Sequence, residues 1–238
     1  MKKVYFVGAG PGDPGLITVK GMRLLKKADL VVYTGSLVNP ALVELSPAPM
    51  KMDSHGMRLE EIVRLLVKGA EEGKRVIRLH SGDPSLWGAI VEQISQLVEA
   101  GIEVEIVPGV SSMFGAAAAL RTQLTLAGVS DTLIVTRPAG KTLESDRIRD
   151  LSSPDTTMVI FLGTDRLEEI AGRCSYPPDT PAAVVYHATW PDQKIVRGTL
   201  AEIPRLAREA GITRSALLII GSVVEPDRSG FRRSVLYS

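Results

Sequence analysis

The sequence predicts an α/β protein that consists of two α/β domains. In its first half, short β-branched runs alternate with longer amphipathic patterns, which is typical of βαβ units. After an alanine-rich helical stretch, a second set of apolar runs begins. The chain has 238 residues, of which 45% are hydrophobic and 23% are charged, so it exceeds one typical domain and can bury a sizeable core.

The elements of the first half follow from the spacing of its apolar residues. We predict strands at residues 4–7, 30–33, 76–79 and 104–107, and helices at residues 17–27, 59–72 and 89–100. Gly101 is expected to end the third helix, and the Pro-Gly pair after the fourth strand to end that strand. Because these strands are apolar on both faces, we expect a largely parallel sheet that is covered by helices.

The second half begins with a helix predicted at residues 113–120. We predict strands at residues 132–136, 158–162, 182–186 and 216–220, a helix with loops in the polar segment 139–154, and a surface helix at residues 200–210. Because the pattern restarts here, we place a domain boundary near residue 114. The predicted domains are therefore residues 1–114 and 115–238.

Charge and composition exclude several functional classes. The chain has 28 Lys and Arg residues against 27 Asp and Glu residues, so no global field favours nucleic acid or an anionic membrane as a partner. No stretch reaches the roughly 18 consecutive apolar residues of a membrane-spanning helix. The single cysteine, Cys174, cannot form an intramolecular disulfide. We therefore expect a soluble cytoplasmic protein.

A glycine-rich loop, GAGPGDPG, follows the first predicted strand and precedes a helix, where a dinucleotide-binding turn would lie. A reading that starts at Gly8 puts Asp13 in the place of the third glycine. A reading that starts at Gly10 matches all three glycines but includes Pro11 and Pro14. Since proline lacks the backbone N–H that a pyrophosphate needs, the pattern disfavours a dinucleotide site. A tight turn without any ligand stays open as an alternative.

Two further loops follow predicted strands in the same way. Ser81-Gly82-Asp83-Pro84 comes after the third strand, and the Pro-Gly-Val-Ser-Ser segment at 108–112 comes after the fourth. The carboxyl ends of parallel strands share one edge of the sheet, and ligands of open parallel sheets bind at that edge. The three loops together therefore predict one ligand cleft.

In this order and spacing, the three loops resemble those of the tetrapyrrole (corrin/porphyrin) methylases, and the resemblance spans nearly the whole chain. The stretches YTGSLV at 33–38, TRPAGKT at 136–142 and YHATWPDQK at 186–194 are similar to the precorrin-4 C11-methyltransferases within that family. Another tetrapyrrole methylase, for uroporphyrinogen III or precorrin-2, is the nearest alternative. A dinucleotide-binding oxidoreductase is a more distant one.

The resemblance implies an S-adenosylmethionine-dependent C-methyltransferase of cobalamin biosynthesis that forms a homodimer. Its substrate would be precorrin-4 or cobalt-precorrin-4, and S-adenosylmethionine would bind in a cleft between the two α/β domains. Carried over residue by residue, the cofactor contacts would be Pro11, Ser81, Gly82, Asp83, Leu86, Ser111 and Ser112 in the first domain, and Leu162, Ala188 and Ala216 around the adenine in the second. Asp83 is expected either to hydrogen-bond the cofactor or to cap a helix after Pro84.

Methyl transfer from a sulfonium to a carbon is a direct displacement, so alignment of the reactants is the main requirement and no covalent nucleophile is expected. The sequence accordingly identifies no catalytic residue, although His55 is a candidate for a proton acceptor. His80 and His187 lack partners at metal-ligand spacing, so no protein-bound metal is expected. Candidates to contact the substrate's carboxylates, each with a solvated surface position as its alternative, are Arg58, Arg78, Arg121 and Lys141.

Overall fold

The computed structural model describes residues 2–140 and 143–233. The chain divides into two units, Met1–Ser112 and Met113–Ser238, each with its own sheet. The sequence analysis placed the boundary after residue 114, which lies inside the helix that opens the second unit.

Unit 1 contains a five-stranded sheet with the order β3-β2-β4-β1-β5. The strands are β1 (Lys3–Gly8), β2 (Leu30–Tyr33), β3 (Met50–Asp53), β4 (Val76–His80) and β5 (Glu103–Val107). All neighbouring strands are parallel, as predicted. Strand β3 was not predicted because it is a largely exposed edge strand, Met-Lys-Met-Asp, without an apolar run.

Helices cover both faces of this sheet, which confirms that prediction. They are α1 (Val19–Leu25), α2 (Pro40–Glu44), α3 (Leu59–Glu71) and α4 (Ile90–Glu99). Val7 and Val31 pack with residues of α1 and α2, whereas Phe6 and Val32 pack with residues of α3 and α4. Helix α1 begins two residues later than predicted because the Thr18 side chain caps it, accepting the Gly21 N–H at 3.1 Å.

Unit 2 contains a mixed sheet with the order β6-β7-β10-β8-β9. The strands are β6 (Thr132–Thr136), β7 (Thr156–Ile160), β8 (Pro181–Tyr186), β9 (Lys194–Thr199) and β10 (Ala216–Ile220), and the helices are α5 (Ser112–Leu120), α6 (Ile148–Leu151), α7 (Leu167–Arg173) and α8 (Ile203–Glu209). Strands β6 and β7 are parallel, whereas every other neighbouring pair is antiparallel.

Three predictions for unit 2 need correction. The strand predicted at 158–162 ends at Ile160, because Leu162 has a φ of +55° and leaves the extended conformation. Helix α8 is not only a surface helix, since Ile203 and Ala207 are fully buried. Strand β9 and helix α7 were not predicted.

No helix in the described part of the chain is both long and apolar enough to cross a membrane.

Candidate functional site

The loops after β1 and β4 are joined at the carboxyl edge of sheet 1, the edge at which its parallel strands end. Gly10 and Gly82 exchange two backbone hydrogen bonds, with N···O distances of 3.2 and 2.9 Å. One residue earlier, the Ala9 N–H donates to the His80 carbonyl at 2.7 Å. The two loops therefore continue the sheet as a short antiparallel bridge.

The loop after β5 packs backbone to backbone against these two loops. A Cβ atom on Gly109 would lie 2.1 Å from the Gly82 carbonyl oxygen and 2.7 Å from the Gly8 Cα. No side chain fits at such distances, so glycine is required at Gly109 for the loops to meet. The predicted convergence of three loops on one edge is confirmed.

Asp83 ties the second loop to the third. Its Oδ2 accepts the Gly109 N–H at 2.8 Å, and its Oδ1 accepts the Ser85 N–H at 2.8 Å and also the Ser85 hydroxyl. Burial acts to raise the pKa of Asp83, but the hydrogen bonds from Ser85 and Gly109 outweigh it, so the pKa lies below its ordinary value. The carboxylate is thus ionised and braces two loops.

The expectation that Asp83 caps a helix was wrong. Helix α4 begins only at Ile90, because Trp87 and Ala89 have φ angles of +51° and +47° that interrupt helical geometry. Asp83 instead opens an isolated turn, in which the Leu86 N–H donates to its carbonyl at 3.2 Å.

Several backbone donors of the glycine-rich loop are used within unit 1. The Gly15 N–H donates to Asp13 Oδ1 at 2.7 Å and the Leu16 N–H to the Asp13 carbonyl at 2.9 Å. The Gly10 N–H is taken by the second loop, and Pro11 has none. A pyrophosphate cradle needs such donors to be free, so the geometry also disfavours a dinucleotide site.

The structure places all seven cofactor-contact residues predicted in unit 1 on these three loops or on the first turn of α5. Pro11, Gly82 and Ser111 are buried, whereas Ser81, Asp83, Leu86 and Ser112 are half-buried.

The three cofactor-contact residues predicted in unit 2 also share one sheet edge. Leu162 follows β7, Ala188 follows β8, and Ala216 begins β10. Because β10 runs antiparallel to both β7 and β8, its start lies beside their ends. The Thr164 hydroxyl donates to the Ala216 carbonyl at 3.0 Å and fixes the segment after β7 to β10. We call this edge of sheet 2 the Leu162 edge.

Positive φ angles are concentrated at the Leu162 edge in residues other than glycine. They are +55° at Leu162, +46° at His187, +71° at Thr189 and +55° at Ser215. Each such residue costs of order 1–3 kcal/mol, and such strain clusters at ligand sites. Leu162 is also 59% exposed, so its apolar side chain is presented to solvent at this edge.

His187 is held between two aromatic rings at the same edge. Its ring centroid lies 3.8 Å from that of Tyr186 and 4.6 Å from that of Trp190. Asp192 contacts its Nδ1 at 3.0 Å, and this contact is the main reason that the pKa of Asp192 is lowered. The described residues contain no group of three or more His, Cys, Asp or Glu side chains that could hold a metal ion.

Arg78 is buried, which contradicts both readings offered for it from the sequence. It is 4% exposed, and it donates from Nε to Gln93 Oε1 at 3.1 Å and from Nη1 to Ser54 Oγ at 3.0 Å. Burial lowers its pKa to about 10, so it remains a cation. Arg78 supports the sheet from within and is neither a surface group nor placed to meet a substrate carboxylate.

His80 lies two residues further along β4 and is also buried. Its Nε2 has no hydrogen-bond partner among the described residues, and its ring stacks on Phe6 at 5.6 Å. Burial, and to a smaller extent the Arg78 cation, lower its pKa to about 3, so the ring is neutral.

The other candidates for substrate contact occupy different environments. Arg58 and Arg121 are exposed, and Arg58 contacts Glu61 at 3.5 Å. Lys141 lies outside the described residues. His55 is exposed, and its backbone N–H donates to Asp53 Oδ1 at 2.9 Å.

The chain belongs to the tetrapyrrole (corrin/porphyrin) methylases, since the model of that family matches residues 3–204. Two curated relatives cover it almost completely. The cobalt-precorrin-4 C(11)-methyltransferase of Methanocaldococcus jannaschii is 49% identical over 94% of this chain and 89% of its own length. The precorrin-4 C(11)-methyltransferase of Pseudomonas aeruginosa is 46% identical over 98% of this chain and 94% of its own.

The chain is also similar to solved structures of tetrapyrrole methyltransferases. A cobalt precorrin-4 methyltransferase, CbiF, matches with a TM-score of 0.90 and 42% identity, covering 94% of this chain and 97% of that one. The uroporphyrin-III C-methyl transferase of Thermus thermophilus, in complex with S-adenosyl homocysteine, matches with a TM-score of 0.79 and 32% identity, covering 94% and 93%.

Proposed function

We propose that this protein is an S-adenosylmethionine-dependent C-methyltransferase of cobalamin biosynthesis that methylates C11 of precorrin-4 or cobalt-precorrin-4. The observation that carries the proposal is the meeting of three loops at the carboxyl edge of sheet 1, where ligands of parallel sheets bind. The substrate is supported by the activities for which the similar proteins are named. The methyl donor is supported by the S-adenosyl homocysteine bound to the Thermus thermophilus relative, since that compound is what S-adenosylmethionine becomes when it gives up its methyl group.

The proposed cofactor contacts are the ten residues carried over from the family. S-adenosylmethionine has an amino-acid end, a ribose and a flat adenine, and supplies a methyl group on a cationic sulfur. In unit 1 the loops offer small residues and backbone groups that suit its polar end, at Ser81, Gly82 and Ser111. In unit 2 the exposed Leu162 offers an apolar surface that suits the adenine face, at the sheet edge that also carries Ala188 and Ala216.

The role of the protein's own residues is chiefly to orient. A displacement at carbon requires the reacting atoms to be about 3–3.5 Å apart and aligned, and this alignment is the largest contribution a rigid site makes. Asp83 serves that requirement because it holds the second and third loops together through two loop N–H groups. No group on these loops is needed as a covalent nucleophile.

A homodimer and a cytoplasmic location belong to the same proposal. The family resemblance supports the homodimer, which sedimentation at micromolar concentration tests. A reducing compartment fits the single cysteine of the sequence, Cys174, which is half-buried.

The test is an assay of the purified protein with S-adenosylmethionine labelled in its methyl group. Precorrin-4, cobalt-precorrin-4, precorrin-2 and uroporphyrinogen III are offered separately under anaerobic conditions. We expect label in precorrin-4 or its cobalt form and none in the other two. Label in uroporphyrinogen III alone overturns the assignment of C11 and leaves another tetrapyrrole methylase. Tight calorimetric binding of NAD or NADP, without binding of S-adenosylhomocysteine, overturns the choice of cofactor.

A further inference from the structure

Asp53 lies on the part of the carboxyl edge that the cofactor loops leave free. In the order β3-β2-β4-β1-β5, those loops follow β4, β1 and β5. Asp53 is the last residue of β3 and pairs with Tyr33, the last residue of β2. It therefore stands at the same edge as the cofactor loops, at its other end.

The carboxylate of Asp53 crosses to the loop after β2. Its Oδ1 accepts the Gly35 N–H at 2.8 Å and the His55 N–H at 2.9 Å. A Cβ atom on Gly35 would lie 2.1 Å from Oδ2 and 2.8 Å from Cγ. The Asp53 carboxylate thus occupies the space that a side chain at position 35 would take.

The two oxygens of this carboxylate have different surroundings. Oδ1 accepts two backbone donors, whereas Oδ2 accepts no hydrogen bond within residues 2–140 and 143–233, and Asp53 is exposed. The N–H groups of His55 and Gly35 hold the pKa of Asp53 below its ordinary value. An anionic oxygen is therefore left facing solvent in a fixed place.

A buried network fixes the backbone on which Asp53 stands. The Ser54 hydroxyl donates to the Tyr33 carbonyl at 2.9 Å and lies 3.3 Å from the Thr34 hydroxyl. Beneath them, the buried Arg78 donates to Ser54 Oγ at 3.0 Å. The ends of β2 and β3 are thus locked together.

The proposed reaction creates a need for such a group. The nucleophilic carbon of the acceptor forms a bond to the methyl group, and the carbon–sulfur bond breaks with its electron pair left on sulfur. The positive charge passes to the acceptor, which then loses one N–H or C–H proton while its electron pair stays in the conjugated ring. An anion stabilises that charge as it develops, and a proton on a cationic acceptor is acidic enough for a weak base to remove.

We propose that Asp53 is a catalytic residue, and that its Oδ2 accepts the proton which the tetrapyrrole loses on methylation. This rests on the methyl transfer proposed above. It also replaces the candidate chosen from the sequence, because His55 contributes a backbone N–H that orients Asp53.

Asp53→Asn is the first test. Asparagine keeps the size of the side chain and a carbonyl oxygen for the Gly35 and His55 donors, but it has no negative charge and no basic oxygen. We expect kcat to fall by about 100-fold or more, in line with the loss of a general base. The dissociation constant of S-adenosylhomocysteine and the thermal midpoint should remain those of the wild type, which a merely structural role would not predict. Asp179→Asn is the matched control, because it removes the charge of an exposed carboxylate in unit 2, and it should change kcat less than about threefold.

Moving the carboxylate is the second test. Gly35 has a φ outside the left-handed region, so its backbone accepts a side chain once the space is free. Asp53→Ser frees that space, and adding Gly35→Asp returns a carboxylate to it. We expect the kcat of the double variant to be at least about tenfold higher than that of Asp53→Ser alone.

The outcomes separate this inference from the proposed function. Methylation by the wild type together with a kcat of Asp53→Asn within threefold of it overturns the role of Asp53 alone. No recovery in a double variant that folds and binds S-adenosylhomocysteine normally also overturns it. If the wild type methylates no tetrapyrrole, the proposed function itself fails.

Discussion

At the carboxyl edge of sheet 1, glycines let backbone pack directly on backbone, whereas at the Leu162 edge of sheet 2, larger residues adopt positive φ angles. The first edge has no room for a Cβ at Gly109, and its donors are largely used internally. The second edge keeps its side chains and stores strain, as at Leu162 and His187. At the edge of sheet 1, the stability of the fold and the geometry of the ligand site depend on the same contacts. At the Leu162 edge, a substitution can change stability and ligand binding separately.

Gly109→Ala should have the largest effect on folding, because its Cβ meets the backbone of two other loops. Overpacking of this kind costs about 3 kcal/mol, and moving the loops apart should weaken S-adenosylhomocysteine binding at least tenfold. Denaturant unfolding and calorimetry measure the two effects. The matched control is Gly172→Ala, since nothing lies within 4 Å of a Cβ there and its φ is ordinary. Equal behaviour of the two variants contradicts the close packing of the three loops.

His80 gives unit 1 a dependence on pH that follows from burial. The folded protein keeps this ring neutral down to a pKa of about 3, whereas the unfolded chain takes up the proton near its ordinary pKa of 6.5. The stabilisation that depends on a neutral His80 is therefore complete above about pH 6.5 and declines as the pH falls toward 3. Lowering the pH from 7 to 5 should reduce the free energy of unfolding by about 2 kcal/mol through this residue.

His80→Leu provides the comparison, because it also removes an Nε2 that has no partner among the described residues. Urea unfolding at pH 7 and pH 5 should show a smaller loss in this variant than in the wild type. The same loss in both proteins would mean that His80 is not the group responsible.

Leu162→Gly should separate stability from binding at the second edge. Glycine relieves the strain of a φ of +55°, and the side chain that is removed is mostly exposed. The free energy of unfolding should therefore rise by about 1 kcal/mol. S-adenosylhomocysteine should nevertheless bind about tenfold more weakly, because the apolar surface proposed for adenine is lost. Leu162→Ala keeps the positive φ and should weaken binding without the gain in stability. A stability loss in the glycine variant contradicts the contrast between the two edges.

The same contrast explains what could be read from the sequence. The loops of unit 1 were predictable because close backbone approach requires glycine, and Gly8, Gly82 and Gly109 each follow a recognisable strand. The strain at the Leu162 edge was not, since Leu162, His187 and Ser215 carry no mark of a positive φ. Leu162 was instead assigned to a strand, because an apolar residue after an apolar run continues the pattern.

Asp53 was missed as a site residue for a related reason. Its segment was recognised as a polar loop, but the edge strand β3 was not, so nothing showed that Asp53 stands beside Gly35. His55 was preferred because an isolated imidazole titrates near neutrality. A carboxylate that ends one strand, with a glycine just after the neighbouring strand, is the signal that indicates this pair. Arg78 was misplaced for the same reason, since its partners Ser54 and Gln93 come from distant segments.

The position of the new methyl group in the product decides whether this protein is a C11-methyltransferase. The protein is incubated with S-adenosylmethionine enriched with carbon-13 in the methyl group and with precorrin-4 or cobalt-precorrin-4, and the product is examined by NMR. We expect one enriched methyl signal, whose protons correlate with C11. An enriched methyl at any other ring carbon, or no transfer to either substrate, would contradict it.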